Sequence, residues 1–378
     1  MAVDLNVEFP VLEKINFLNH AAVAPMPRRS ADMVRLFATE AMEQGSVAWP
    51  LWAGRVKQAR VRAAQLLGCG EDEVTFSHNT THGLLCVANS LPWRPGDNIV
   101  TAAGEFPANV YPWRNLAPLG VAIRTVAERP DRSFSADDFA AAIDSRTRLI
   151  AISLVQYGTG CRMPVEAIAE ICRKRGILLC LDAIQAAGAM PTLVDELGCD
   201  FLTADGHKWL LGPEGAGILY VKRERLDMLG NAMTGWIGRV RPNDYTDFEQ
   251  PLAHAASRFE EGSHNAVGIG ALGESIGLIL EVGIDEVWRR IEAVTARIDE
   301  GARRLGLEVV SPRGEGVRSG IIAITRAGLD VDTCAKALAE KKIYVAARRG
   351  WLRLSPHFYN TLEQMDEFIN ALGSMTGK

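Results

Sequence analysis

Short apolar segments alternate with amphipathic ones through the middle of the chain. The segments that read as strands cover residues 98–102, 121–126, 149–154, 177–182, 201–204 and 217–221. Between two of them, residues 165–174 have helical periodicity, with Pro164 at the first helical position and Gly176 closing the helix. This order predicts an α/β fold with a mainly parallel sheet wrapped by helices, whose ligands bind at the carboxyl ends of the strands.

The pattern changes after about residue 250. The elements predicted there are helices over 266–281 and 284–305, strands over 320–325 and 351–355, and a last helix over 362–372. We therefore predict an N-terminal arm over residues 1–18, a large domain over 19–255 and a smaller α+β C-terminal domain over 256–378.

Composition narrows the function classes. Of 378 residues, 48% are hydrophobic and 23% are charged, which is ordinary for a globular enzyme. The net charge of −5 gives no basic surface for nucleic acid or for an anionic membrane. The start of the chain lacks a secretory pattern and no apolar run approaches bilayer length, so we expect a cytoplasmic protein.

Cysteine and histidine patterns argue against disulfides and metals. The seven cysteines are odd in number and include no Cys-x-x-Cys pair, so neither a disulfide framework nor a zinc site is predicted. His78 and His82 are four residues apart, but no carboxylate or second cluster accompanies them along the chain. We expect no metal site.

An amine and a carboxylate follow two neighbouring strands. Lys208 lies just beyond the strand that ends near Ala204, and Asp182 ends the strand before it. Alone, Lys208 is typical of a solvated loop, but the second strand and its carboxylate favour a catalytic pair. Pyridoxal phosphate chemistry needs a lysine to form the Schiff base and a carboxylate to keep the pyridine nitrogen protonated.

Further polar residues suit a phosphate-bearing cofactor. Thr80 and Thr81 precede an apolar helical stretch over 84–91, and hydroxyls with free N–H groups at a helix start bind anions. The alternative is a plain helix cap. His207 is placed to reach the same phosphate, or is a structural loop histidine. Gln185 either donates to the phenolic oxygen of the cofactor or caps the following helix.

Five motifs in this order resemble the class V aminotransferases of the fold type I pyridoxal phosphate enzymes. They are Asp182-x-x-Gln185, Gly206-His207-Lys208, Thr80-Thr81, the run from Arg258 to Asn265, and the run from Arg353 to Thr361. The resemblance spans about residues 16–361. The group includes cysteine desulfurases, selenocysteine lyases, isopenicillin N epimerase, kynureninase and aminotransferases proper.

The resemblance assigns roles around the cofactor. Lys208 is the Schiff-base residue and moves the proton at the substrate Cα, while Asp182 pairs with the pyridine nitrogen and Gln185 with the phenolic oxygen. The other residues expected around the phosphate and ring are Thr80, Thr81, His207, Phe106 and Gln156.

It also implies a substrate site and a partner subunit. Arg353 is expected to bind the substrate α-carboxylate, a task that suits a forked guanidinium. The loop with His20 and Ala21 is expected to edge the pocket. Ser263 stands where relatives commonly lend a threonine to the partner's site, which implies a homodimer with shared active sites.

Three departures bear on the reaction. Residues 346–351 lack the nucleophilic cysteine of cysteine desulfurases, Phe106 stands where relatives often stack a histidine, and Asp205 replaces a hydroxyl residue near the phosphate. Asp205 is therefore left out of the ligand set. Arg348 and Arg349 either favour an acidic side chain or form a solvated turn.

We accordingly expect transamination of a small amino acid first, β-elimination of a sulfur-bearing amino acid second and epimerisation third. A non-catalytic relative that keeps the fold as a binding or scaffold protein is disfavoured. Such a protein is expected to lose its cofactor residues, whereas Lys208, Asp182, Gln185, Thr81 and Arg353 are all present.

Overall fold

The computed structural model describes residues 3–376. Its helices are α1 (Leu5–Glu8), α2 (Arg28–Gln44), α3 (Trp49–Leu67), α4 (Thr80–Ser90), α5 (Tyr111–Arg114), α6 (Ala136–Ala142), α7 (Val165–Arg175), α8 (Val194–Leu197), α9 (Ala266–Val282), α10 (Ile284–Arg304), α11 (Val331–Glu340) and α12 (Leu362–Thr376). Its strands are β1 (Asn16–Phe17), β2 (Val74–Ser77), β3 (Asn98–Ala102), β4 (Ala122–Val126), β5 (Thr147–Ser153), β6 (Leu178–Asp182), β7 (Phe201–Asp205), β8 (Gly217–Val221), β9 (Glu308–Val309), β10 (Ile322–Thr325), β11 (Ile343–Tyr344), β12 (Ala346–Arg348) and β13 (Trp351–Leu354).

The central sheet has the order β2-β8-β7-β6-β5-β3-β4. Strands β4, β3, β5, β6 and β7 pair in parallel, which confirms the predicted α/β fold. Strand β8 runs antiparallel to both of its neighbours. The connection from β7 to β8 is shorter than the dozen or more residues that a parallel crossover needs, so the chain turns back.

Burial on both faces explains the nearly continuous apolar strands. Every residue of β6, β7 and β8 is buried, because helices cover both sides of the sheet. Helix α7 buries Val165, Ile168 and Cys172 against it and ends at Gly176 in the left-handed conformation. The sequence placed Pro164 inside this helix, whereas Pro164 is its N-cap and α7 begins one residue later.

A second, antiparallel sheet of order β12-β13-β10-β9 forms the core of the C-terminal region. Its hydrophobic cluster joins α10, α11 and α12 and includes Leu18 from the N-terminal arm. Strand β1 of that arm pairs with β11. The N-terminal segment therefore contacts the small domain through β1 and Leu18, whereas its Phe9 lies in the main hydrophobic cluster.

Helix α9 belongs by its packing to the large domain. Its buried residues, among them Ile269, Leu272 and Ile276, lie in the main hydrophobic cluster, where they pack with α2 and α3. The domain boundary predicted between residues 255 and 256 stays a prediction. From this packing we propose that the boundary falls later, within α10.

Within residues 3–376, no single helix has the length and apolar character to cross a membrane. Helices α9 and α10 meet these criteria only as a pair, and the chain bends by 82° between them.

Candidate active site

A cavity of about 330 Å³ opens at the carboxyl ends of β6 and β7. The predicted site residues that line it are Ala21, Thr80, Thr81, Phe106, Asp182, Gln185, His207, Lys208 and Arg353. They come from the central sheet and its loops, the start of α4, the loop after β1 and β13. The parallel strand ends thus bring together residues that lie far apart along the chain.

Lys208 lies in the turn after β7 and is 9% exposed. Burial lowers the pKa of Lys208 to about 8, with Arg353 and Arg348 adding to the effect and Asp182 and Asp205 opposing it. Its Nζ is 5.5 Å from the centre of the Phe106 ring. A buried amine with this pKa is partly neutral near pH 7 and can act as nucleophile or base.

Asp182 ends β6 and is 2% exposed. Its Oδ1 accepts a hydrogen bond of 3.0 Å from the Ile184 N–H. Burial raises the pKa of Asp182 to about 6, although Ile184 and Lys208 act to lower it. A nearby cation stabilises the ionised form of such a carboxylate, so the site favours a cationic partner.

The start of α4 offers unpaired donors to the cavity. Asn79 caps the helix by accepting from the His82 N–H, and the first turn leaves backbone N–H groups without helical partners. The Thr80 hydroxyl is buried without a hydrogen-bond partner among the described residues. These are the features of an anion site.

His207 and Asp205 lie at the same end of the cavity. His207 Nδ1 is 3.1 Å from Asp205 Oδ2, but the two are not aligned for a hydrogen bond. Asp205 Oδ1 accepts from the Gly206 N–H at 2.7 Å. Because Asp205 lines the cavity, its charge acts on any anion bound there.

Both polar atoms of the Gln185 side-chain amide make hydrogen bonds. Its Oε1 accepts from the Trp209 indole at 2.9 Å, and its Nε2 donates to the Ala21 carbonyl at 3.2 Å. The second N–H of that amide has no partner among the described residues and is available to a ligand. Gln185 therefore links the turn after β6 to the loop after β1.

Arg353 lies on β13 and is 2% exposed. It donates to the Tyr157 carbonyl at 2.8 Å and to Asn19 Oδ1 at 3.3 Å. Its Nε is buried without a partner, and no carboxylate within residues 3–376 lies within ion-pair distance of it. Burial, with a contribution from Arg348, lowers the pKa of Arg353 to about 10. A buried guanidinium of this kind favours an anionic ligand.

Three predicted site residues do not line the cavity. His20 is fully buried, with Nε2 2.6 Å from the Tyr359 hydroxyl and Nδ1 2.8 Å from the Ser355 carbonyl. Gln156 is buried and donates to Glu105 at 3.0 Å. Ser263 lines a separate pocket next to His78.

The family follows from comparison with known proteins. The model of the aminotransferase class-V family matches residues 17–368. The chain belongs to this family. Such enzymes use pyridoxal phosphate, and small amino acids are their substrates.

Among curated members of the aminotransferase class-V family, the chain is 28% identical to an uncharacterized aminotransferase of Bacillus subtilis, covering 97% of this chain and 96% of that protein. It is 31% identical to a cysteine desulfurase of Klebsiella pneumoniae, covering 84% of this chain and 82% of that protein.

Solved structures have the same fold. A cysteine desulfurase of Thermococcus onnurineus superposes with a TM-score of 0.89 at 23% identity, covering 100% of this chain and 99% of the other. The cystine C–S lyase C-DES superposes with a TM-score of 0.89 at 21% identity, covering 97% and 99%.

The cavity fits pyridoxal phosphate, the cofactor of the aminotransferase class-V family. The unpaired Thr80 hydroxyl and the start of α4 suit its phosphate. Asp182 suits a protonated ring nitrogen, and Lys208 suits the aldehyde. The donor set is therefore complementary to each polar end of the cofactor.

The motifs of the aminotransferase class-V family did not lead us to Glu105. This carboxylate is buried and accepts hydrogen bonds from the Ser153 N–H and hydroxyl, Asn109 and Gln156. Burial raises the pKa of Glu105 to about 7, with Ser153 opposing. It precedes Phe106 directly, and a charged residue before an aromatic one in a loop was the only signal for it in the sequence.

Tyr157 lines the cavity without having been singled out in the sequence, and Arg348, for which the sequence left a substrate contact or a solvated turn open, lines it too. The Tyr157 ring meets Phe106 edge-on, with 5.2 Å between the ring centres.

The β12–β13 hairpin ends in a tight turn. Arg348 and Trp351 pair across it, and the two residues between them, Arg349 and Gly350, both have positive φ. This is the geometry of a two-residue turn.

Proposed function

We propose that this protein transaminates a small amino acid, and that Lys208 carries the proton transfer. The observation that carries the proposal is the combination of three groups around one cavity that no cysteine lines: the buried amine of Lys208, the buried carboxylate of Asp182, and the guanidinium of Arg353, which has no ion-pair partner within residues 3–376. When bound, pyridoxal phosphate withdraws electrons from the substrate Cα. The protein's own residues decide which bond breaks and where the proton goes.

Lys208 is the base in this proposal. Lys208 would move the proton at the substrate Cα, and the bound cofactor would supply the adjacent carbon that accepts a proton in transamination. The Lys208 pKa of about 8 supports this role, because catalytic proton transfer is most effective when the pKa lies near the working pH. Phe106 lines the same cavity and offers a stacking face but no exchangeable proton.

Arg353 binds and orients the substrate in this proposal. Its unpaired Nε and its lack of a carboxylate partner within residues 3–376 support a role in holding the α-carboxylate. Fixing the carboxylate fixes the Cα–H bond relative to Lys208, which is the positioning that makes a proton transfer fast.

The lack of a thiol argues against the persulfide chemistry of cysteine desulfurases. None of the seven cysteines, all within the described residues, lines the cavity. The segment that would carry the nucleophile is the tight β12–β13 hairpin, which leaves no loop to carry a thiolate inward.

Arg348 supports an acidic side chain on the substrate. It lines the cavity, and no carboxylate in the described chain lies within ion-pair distance of it. Arg349, by contrast, lies 3.4 Å from Glu128 and over the Trp351 ring at 5.0 Å, so it has a structural partner. We therefore propose an amino acid with a side-chain carboxylate as the preferred substrate.

A homodimer with shared active sites is part of this proposal. Ser263 is exposed and lies away from the cavity of its own chain. Its segment contacts Trp236, and Trp236, Tyr245 and Phe248 are 45%, 68% and 88% exposed. Exposed aromatic residues of this kind mark contact surfaces. The cytoplasmic location expected from the sequence belongs to the same proposal.

The test is an assay of the pure holoenzyme with single amino acids, with and without a keto acid acceptor. We expect amino transfer that depends on the acceptor, is fastest with aspartate or glutamate, and is lost in Lys208→Ala. Pyruvate and ammonia from cysteine derivatives without an acceptor would instead establish β-elimination, and loss of optical purity without transfer would establish epimerisation. A protein that takes up no cofactor would point to a scaffold.

A further inference from the structure

Three potential metal ligands meet beside the start of α4, outside the cavity. His78 Nε2 is 2.7 Å from Glu261 Oε1, and His82 Nε2 is 4.0 Å from the same oxygen. One ligand atom from each of the three side chains lies within 4.8 Å of the others. The two imidazole rings are 4.6 Å apart.

The fold supplies the carboxylate that the sequence lacked. The sequence predicts no metal site here, because no carboxylate accompanies His78 and His82 along the chain. Glu261, from the segment before α9, is 183 residues away from His78 in sequence and closes the cluster in space. The two histidines therefore do have a carboxylate beside them in the folded chain.

Two imidazoles and one carboxylate form a ligand set of the kind that binds Zn²⁺. Zinc–nitrogen and zinc–oxygen bonds are about 2.0–2.2 Å long, so small rotations of the partly exposed side chains suffice to gather them around an ion. The side chains of His78 and Glu261 are 60% and 44% exposed, which leaves water access to complete the coordination.

We propose that His78, His82 and Glu261 bind one divalent transition-metal ion, of which Zn²⁺ is the best match. Cys86 Sγ is 4.0 Å from His82 Nε2 but lies outside the cluster formed by the other three side chains. The ion ties the turn before Thr80 to the segment that carries Ser263. It therefore braces two segments of the proposed cofactor and subunit contacts without entering the reaction.

The test is isothermal titration calorimetry of the holoenzyme, from which metal is first removed with a chelator that is then removed by desalting. ZnCl₂ is the titrant, and a parallel titration with MgCl₂ measures nonspecific binding. We expect one Zn²⁺ per chain and no comparable Mg²⁺ binding. The variants His82→Gln and Glu261→Gln should each lower the zinc affinity by about tenfold or more, the loss seen even when a supporting residue is removed. Zn²⁺ should raise the Tm of the wild type but not of Glu261→Gln.

His254→Gln is the matched control. His254 Nδ1 is 3.2 Å from Asp227 Oδ1 in an exposed histidine–carboxylate pair that has no third ligand within residues 3–376, so its loss should leave zinc binding unchanged. Wild-type protein that takes up no Zn²⁺, or ligand variants with the wild-type isotherm, would overturn the proposal. The Tm of each variant, measured in the presence of chelator, checks that the variant folds. If His82→Gln does not fold, the zinc affinity of Glu261→Gln, a substitution at an exposed side chain, decides the test.

Discussion

The two ends of the cavity are built differently. At the cofactor end, Asp182 and Lys208 follow adjacent strands of one sheet, and Thr80 begins a helix next to them. At the proposed substrate end, Arg348 and Arg353 come from the small-domain hairpin and Ala21 from the loop after β1. One end is part of a rigid sheet, whereas the other exists only where separate parts of the chain meet.

The difference separates two properties of the enzyme. Residues at strand ends of a buried sheet hold their positions because the whole core fixes them, so the cofactor end serves any reaction of the family. The hairpin and the loop after β1 can change without disturbing that core. We therefore propose that the choice of substrate and reaction is made at the substrate end.

The largest expected effect comes from Asp182→Asn at the cofactor end. An amide cannot keep the ring nitrogen protonated, so kcat should fall for every amino acid by roughly 10²–10³-fold, the usual loss when a fixed electrostatic partner is removed. Steady-state kinetics measure this. Asp205→Asn, which removes another carboxylate from the same cavity, is the control and should have a much smaller effect. Equal losses in the two variants would contradict the assigned role.

At the substrate end, Arg353→Gln should lower kcat/KM by at least about 30-fold, since losing one partner of a buried charge pair costs about 2–5 kcal/mol. The loss should be similar for all amino acids, because all carry the α-carboxylate. Cofactor binding, followed by absorbance, should persist. A variant that retains the wild-type kcat/KM would remove Arg353 from the substrate site.

The pH dependence of Schiff-base formation by Lys208 tests both ends of the cavity at once, because charged residues from each end affect the pKa of Lys208. Its pKa of about 8 means that the reactive neutral amine grows as the pH rises through about 8. Borohydride trapping at a series of pH values should give that midpoint. Asp182→Asn should move the midpoint down and Arg353→Gln should move it up, because Asp182 raises this pKa and Arg353 lowers it. A midpoint near 10 would contradict the lowered pKa of Lys208.

The smallest effect is expected for Arg348→Gln. Because Arg348 is exposed, its contribution should be about 0.5–1 kcal/mol, a roughly two- to fivefold loss of kcat/KM with glutamate or aspartate. Alanine should react as before. The measurement is the ratio of kcat/KM with glutamate to kcat/KM with alanine, compared between the wild type and the variant. Arg349→Gln is the neighbouring control and should leave this ratio unchanged. An unchanged ratio would exclude the acidic-substrate proposal.

The sequence predicted six of the seven strands of the central sheet, all except β2, together with the residues of the cofactor end, because these follow from local patterns. Strands β3 and β8 were predicted with their observed bounds, and Asp182 and Lys208 were found as polar residues after apolar runs. Thr80 lies inside α4 rather than before it, because Asn79 caps the helix four residues earlier than the apolar stretch suggests.

What escaped prediction depends on contacts between distant segments. Glu105 lies within hydrogen-bonding distance of Ser153 and Gln156, and Glu261 of His78, only after the chain has folded. His20 was expected at the pocket edge, but its ring is held behind it by Tyr359. Periodicity and motifs carry no information about such pairs.

The central claim is that Lys208 is the amine that holds the cofactor. The most direct measurement is borohydride reduction of cofactor-saturated protein, followed by digestion and mass spectrometry of the peptides. We expect the pyridoxyl phosphate mass on the peptide that contains Lys208, and no such adduct in Lys208→Ala. An unmodified Lys208 in saturated protein, or an adduct on another lysine, would contradict the account.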